Sequence, residues 1–189
     1  MTTASLAREA TRAPEQVPST SRLPASDFAA AFRHHPGGVA LITATGPGGH
    51  VALTATSVAS VSADPPLFVF SASAASSAAA TIRAADSVVL HLIGAEGVAL
   101  ARLGATSGVD RFADTDAWTT LITGEPVFHG TRWLRARVVE RIDAGSATVV
   151  LAEALQSNIA ADAPLADDDR LVYVNRAWHR VGEHSLIDV

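Results

Sequence analysis

Hydroxyl side chains gather in one stretch of this chain. Between Leu53 and Phe70, LTATSVASVSADPPLFVF, a β-type run leads into Thr54, Thr56, Ser57, Ser60 and Ser62 before an Asp64-Pro65-Pro66 break and a second apolar strand. A strand that only filled a core would carry branched apolar residues at most inward positions. This one places Thr, Ala and Ser there, small enough for a flat polar ligand to reach the backbone and hydrogen-bond to it. A solvated edge strand with a serine-rich loop explains the same composition, and the residues alone leave both readings open. Just downstream, Ser71–Ser77 is almost wholly Ser and Ala. Ser76 and Ser77 stand at the start of a short helical pattern, Ala78–Ala85. Hydroxyls and free N–H groups at a helix start suit an anion such as a phosphate. Simple N-capping is the plainer role for either serine. Arg83, two turns on, can add charge or face solvent.

These residues need strands to hold them. Pro24 opens the ordered part, and Ser26 or Asp27 can cap a short helix with Phe28, Ala31 and Phe32 on its apolar positions. Pro36-Gly37-Gly38 ends it. Val39–Thr45 and His50–Ala55 read as strands around the Gly46-Pro47-Gly48-Gly49 turn, a β-hairpin. No Gly-Lys-Ser/Thr follows those glycines, so a phosphate loop is excluded there. Leu67–Phe70 and Ser87–Ile93 are strands, and Glu96–Leu103 is a helix. Trp133–Asp143 and Ala147–Leu155 form a long hairpin across Asp143-Ala144-Gly145-Ser146. Arg170–Val174 is read as the strand that closes a barrel, and Trp178-His179-Arg180 follows it. Many short strands with few helices suit a mainly β barrel; an open doubly wound sheet would need a helix after almost every strand.

Composition sets the outer bounds. The chain has 189 residues and one domain's worth of core, with 48% apolar residues but only 5% aromatic, so Ala and Val do much of the packing. Its basic residues are all arginine, and the net charge is −5. A mildly acidic chain without a basic stripe speaks against nucleic acid and against an anionic membrane surface. No apolar run approaches the roughly 20 residues of a membrane span. With no cysteine there is no disulfide frame, no thiolate chemistry and no Cys-based metal site. The cytoplasm is the default compartment. Residues 1–22 read as a disordered or arm-like tail, 23–182 as the domain, and 183–189 as a C-terminal tail.

The Leu53–Phe70 segment resembles the flavin-contacting strand–loop–strand of the flavin reductase-like, FMN-binding split-barrel family. That family shows Thr-Ala-Asn-Ser, a serine-rich stretch and Asp-Pro-Pro-Leu. Here the residues are Thr54-Ala55-Thr56-Ser57, Ser60-Val61-Ser62 and Asp64-Pro65-Pro66-Leu67, with Thr56 in place of Asn. Gly108-Val109-Asp110-Arg111-Phe112 resembles the family's Asp-Arg-Phe segment, Gly124-Glu125-Pro126-Val127 its Gly-x-Pro step, and Trp178-His179-Arg180 its closing aromatic-and-basic pair. The likeness runs from about Phe28 to Val181. It implies a split β-barrel of Greek-key type, mainly β with short helices, that dimerises and holds FMN (or FAD). It also implies reduction of that flavin by NADH or NADPH for delivery to a partner monooxygenase. On the same likeness, Thr54, Ala55, Thr56, Ser57, Ser60 and Ser71 border the isoalloxazine or ribityl chain. Ser76 and Ser77 hold the phosphate, Arg111 faces the phosphate or the ribityl chain, and Phe112 covers a ring edge. A surface Arg–Asp pair beside a buried Phe is the structural alternative at 110–112.

One position departs from the pattern. Where the family reads Gly-Asp-His at the second long hairpin, this chain has Gly145-Ser146-Ala147. Hydride transfer between nicotinamide and flavin needs little acid–base help, so reductase activity does not require that His. The change also leaves two other functions open: a flavin-dependent oxidase or tailoring oxidoreductase acting on an organic substrate, and a non-enzymatic flavin carrier. No residue is assigned as a chemical catalyst and none as a metal ligand. His34, His35, His129, His179 and His184 lack zinc spacing. His91, on an apolar strand, reads as a satisfied core histidine. Asp167-Asp168-Asp169 reads as a solvated turn.

Overall fold

A computed structural model describes residues 22–159 and 170–187. The proposed tail upstream of Arg22 and the Asp167–Asp169 turn lie outside the described residues. Contacts divide the chain at Phe32/Arg33. The described part of the N-terminal unit is mostly helix α1 (Ala25–Arg33), where Phe28 and Phe32 bring their rings to 4.7 Å. Pro24, not Ser26 or Asp27, heads this helix: its carbonyl accepts from the N–H groups of Asp27 and Phe28. Ser26 instead donates to the Asp27 carboxylate within the first turn.

Among the described residues the second unit contains twelve strands: β1 (Gly37–Gly38), β2 (Ala40–Gly46), β3 (Gly49–Ala55), β4 (Ala59–Ala63), β5 (Pro66–Ser73), β6 (Ser87–Leu92), β7 (Trp118–Thr120), β8 (Pro126–Phe128), β9 (Arg132–Ala144), β10 (Ala147–Ser157), β11 (Arg170–Val174) and β12 (Ala177–Val181). Two short helices, α2 (Ala79–Ala84) and α3 (Val98–Ala105), interrupt them. Seven strands form one antiparallel sheet in the order β3-β2-β6-β9-β10-β5-β4. The sheet curls around Ile42, Phe68, Phe70, Val88, Leu90 and Val150, with Ile82 of α2 among them. Its two edges, β3 and β4, are consecutive in the chain and do not pair with each other. The barrel is therefore split between them.

Strand β2 explains the second layer. Ala40, Ile42 and Ala44 face the barrel interior, while Val39 and Leu41 belong to an outer cluster with Ala101 of α3, Phe128 of β8 and Leu171 of β11. A continuous apolar run buried on both faces follows from this double duty. Helix α3 lies close on β3 because Gly104 leaves no Cβ to meet Leu41 and Thr54.

Most expected elements are present within a residue or two, including both hairpins. The β2–β3 turn closes at Gly46↔Gly49 and the β9–β10 turn at Ala144↔Ala147, where Gly145 has φ 64°. Arg170–Val174 is a correction. It does not close the barrel but pairs with β1 and β12 in a separate three-stranded sheet. The serine stretch read as a loop is also partly strand: β4 pairs with β5, with a bulge between Ser60 and Ser62. Short polar strands such as β4 and β7 lack the apolar alternation that reveals longer ones.

The β11–β12 turn is tight. Val174 pairs with Ala177, and the two central residues, Asn175 and Arg176, have φ of 48° and 62°. This is the left-handed region that a primed hairpin turn demands; Asn tolerates it, whereas Arg does not favour it. Arg176→Gly is expected to raise the unfolding free energy by about 1 kcal/mol, measured by urea denaturation.

Candidate functional site

Beyond Val69, strand β5 loses its β4 neighbour, since the β4–β5 ladder begins at Ala59↔Val69. A side chain supplies the missing partner. Ser57 Oγ accepts from the Ser71 N–H at 3.0 Å and lies 3.3 Å from the Ser71 carbonyl. One hydroxyl thus stitches the end of the β3–β4 link to β5 across the split. On β5, Phe68, Phe70 and Ala72 point inward, so Ser71 and Ser73 point out. This outward row continues into Ser76 and Ser77. The Gly145-Ser146-Ala147 corner lands beside it: Ala147 is opposite Ser73, and the Ser146 carbonyl accepts from Ala74 N–H at 2.9 Å.

At the far end of the row stands Arg111. Its guanidinium donates to the Thr106 carbonyl at 2.7 Å and reaches Ser77 Oγ at 3.4 Å. Arg111 Nε is buried and has no hydrogen-bond partner. No carboxylate among the described residues pairs with Arg111. Asp110 is occupied elsewhere, its carboxylate accepting from Phe112 N–H at 2.9 Å. A guanidinium with no carboxylate partner and a buried, unused N–H beside the Ser77 hydroxyl has the chemistry that suits an anion. Helix α2 contributes less than expected. It spans only six residues, and Ser76 Oγ is 3.3 Å from Ala78 N rather than capping the helix proper. Arg83 points away, toward exposed Asp143 at 3.7 Å.

The remaining candidates divide. Thr56 is exposed at the split, against Gly37. Thr54 turns its hydroxyl to helix α3, donating to the Ala101 carbonyl at 2.7 Å. Ala55 is buried in the barrel core. Ser60 lies opposite inward-facing Phe68, on the other side of the sheet from Ser71 and Ser73. Phe112 packs among His50, Trp118 and Phe128, with ring centroids 5.2–5.5 Å away.

Residues that the sequence alone did not single out hold the β7–β8 pair, whose Trp118 and Phe128 pack against Phe112. The β7–β8 sheet has no backbone ladder to the barrel. Threonine hydroxyls hold it instead. Thr45 donates to the Gly124 carbonyl at 2.8 Å, Thr43 to Pro126 at 2.6 Å and Thr131 to Phe128 at 2.8 Å. The alternation of Thr43 and Thr45 on an apolar strand was the available signal.

Glu125, buried beside this strand, pairs with Arg135 at 2.8 Å and accepts from the Ser87 and Thr123 hydroxyls. Burial alone pushes its carboxyl up; the two hydroxyls, the Glu125 backbone N–H and the Arg135 charge outweigh that and hold it below the ordinary 4.5. A lowered carboxyl stabilises the fold above its unfolded pKa, and that contribution disappears as pH falls through the folded value. Glu125→Gln is expected to cost about 3 kcal/mol at neutral pH. The gap to the parent protein should narrow as pH falls below the ordinary carboxyl range and the parent's carboxylate protonates; urea denaturation across pH measures both.

Known proteins resemble this chain along most of its length. Residues 32–182 match the family model for the flavin reductase like domain. The NADH:FMN oxidoreductase of Rhodococcus qingshengii is 44% identical over 128 residues, 67% of either chain. The 4-hydroxyphenylacetate 3-monooxygenase reductase component of Pseudomonas aeruginosa is 31% identical over 159 residues, covering 82% of this chain and 90% of that one. A flavin reductase domain protein from Arthrobacter sp. FB24, solved by crystallography, superposes with a TM-score of 0.77 at 28% identity, across 87% of this chain and 98% of that one.

Proposed function

The chain belongs to the flavin reductase-like family, and on that premise we propose that it is an NAD(P)H-dependent flavin reductase supplying reduced flavin to a partner monooxygenase. The observation that carries the assignment to this site is Arg111: a cation without a carboxylate partner, with a buried N–H unused, at the end of a row of hydroxyls. A flavin nucleotide has matching parts, a phosphate for Arg111, Ser76 and Ser77 and a polar ring and ribityl chain for Thr56, Ser57, Ser71 and the neighbouring backbone. Bound flavin supplies the redox chemistry, taking hydride from a reduced nicotinamide and carrying two electrons onward.

The protein's own work is positional. Ser57 keeps the Ser71 backbone groups of β5 bonded, so the strand stays straight where the β4 ladder stops. Arg111 and the two serines orient the nucleotide by its anionic end. Thr54 contributes indirectly by fastening α3 over β3. Ala147, opposite Ser73 where the Gly-Asp-His pattern would put a histidine, leaves that end of the row without an imidazole. No side chain needs to move a proton, since stacking the two rings and excluding water are sufficient.

The reading includes a homodimer. Exposed Ile142 with half-buried Val149, Leu151 and Val69 lines the outer sheet face next to Ser71, and a second copy there would cover both strip and ligand. It also includes a cytoplasmic setting, where reduced nicotinamide is available; among the described residues no helix is long and apolar enough to cross a membrane.

Anaerobic mixing of the protein with FMN and NADH, or NADPH, is expected to accelerate bleaching of the flavin's visible band; no acceleration with either nucleotide overturns the assignment. Arg111→Ala should weaken FMN binding about tenfold or more, the scale of a lost charge-assisted contact, while leaving riboflavin, which has no phosphate, nearly unaffected. Flavin fluorescence titration reads both.

A further inference from the structure

His91 is completely buried on β6, yet both of its ring nitrogens are engaged. Nε2 lies 3.2 Å from Thr43 Oγ1 and Nδ1 lies 3.2 Å from Thr131 Oγ1. These are two of the hydroxyls that hold β8, at the Pro126 and Phe128 carbonyls. The imidazole therefore bridges the two fasteners of a strand that has no backbone ladder to the barrel. Its edge also meets the Phe128 ring at 6.0 Å. Phe128 stacks on Phe112 at 5.4 Å, and Trp118 donates its indole N–H to the Phe112 carbonyl at 3.1 Å. Arg111 is the residue before Phe112. An unbroken line of contacts thus runs from His91 through Thr131 and Phe128 to the backbone that carries the guanidinium.

We infer that His91 is a positioning residue for the anion grip of Arg111, fixing the height of β8 and hence the reach of the guanidinium toward Ser77. The inference rests on the reading of Arg111 as the flavin phosphate partner. Burial lowers the imidazole pKa to about 3, so the ring stays neutral at working pH and acts by geometry rather than charge. A neutral ring has one N–H and one lone pair. Each threonine O–H is already given to a β8 carbonyl, so the ring's N–H donates to one threonine oxygen while its bare nitrogen lies against the other, a directional contact that no apolar residue reproduces. Phe fills similar space, so a loss at this position reads the hydrogen bonds more than the packing.

The experiment measures the dissociation constants of FMN and riboflavin, by fluorescence titration, for the parent protein and for His91→Phe, Thr131→Val and Arg111→Ala. Their ratio isolates the phosphate contact. His91→Phe is expected to lower FMN selectivity about fivefold, the scale of one net hydrogen bond, with riboflavin binding unchanged. Thr131→Val should move the ratio in the same direction, and it serves alone if His91→Phe does not fold. A selectivity equal to the parent's in the folded variants, with Arg111→Ala reducing it, overturns the role of His91 and leaves the phosphate reading standing. A selectivity unchanged in Arg111→Ala overturns the phosphate reading itself and this inference with it. Equal weakening of FMN and riboflavin in His91→Phe would show a general structural defect and also overturns the proposal.

Discussion

A backbone group turned toward a protein interior must find a hydrogen-bond partner, and in this chain hydroxyl side chains supply it at two places where the strand ladders stop. The curled sheet stops twice. At the split, β4 ends before β5 does, and Ser57 takes over the Ser71 backbone. At the β8 shelf, no strand of the barrel comes alongside, and Thr43, Thr45 and Thr131 take the carbonyls instead. Both stops are also the margins of the candidate site. Small hydroxyl residues satisfy the main chain without filling the space above it, so the sheet can end and still leave a surface that a ligand can approach.

The same constraint explains the charges. Glu125 and Arg135 are kept together beneath the shelf, where an unpaired ion would be costly. Arg111, in contrast, keeps its Nε buried without a protein partner. One arginine closes a structural pair; the other is left for something that the chain does not contain. The difference lies in what meets each guanidinium, a carboxylate in one case and the Ser77 hydroxyl with the Thr106 carbonyl in the other.

Much of this was legible beforehand. Long alternating strands, Gly/Pro turns and the hydroxyl-rich Leu53–Phe70 run announce a β-barrel with a polar seam, because period-2 burial and turn chemistry are local. Ser57 and Ser71 were both picked out by the likeness, but their pairing was not, since it joins residues fourteen positions apart across the split. Less legible were the short strands β1, β4, β7 and β8, which carry too few residues to show a period. Arg170–Val174 has the right pattern for a barrel strand, yet it serves another sheet, since pattern marks a strand without naming its partner. Thr54 and Ser60 share the motif of Ser57 but face α3 and the other side of the sheet. A hydroxyl's type says what it can bond, and its orientation comes from register.

By itself the sequence determined the strand-rich class, the hairpins, the absence of thiol chemistry, and a family likeness precise enough to point to one flavin nucleotide. Only the tertiary structure decided which hydroxyls line the open row, that Arg111 stands beside Ser77 thirty-four positions away, and that His91 braces two threonines from different strands. The reason is physical. Local periodicity is set by neighbours along the chain, whereas the direction of a side chain and the burial of its partner depend on strands that meet only when the sheet curls.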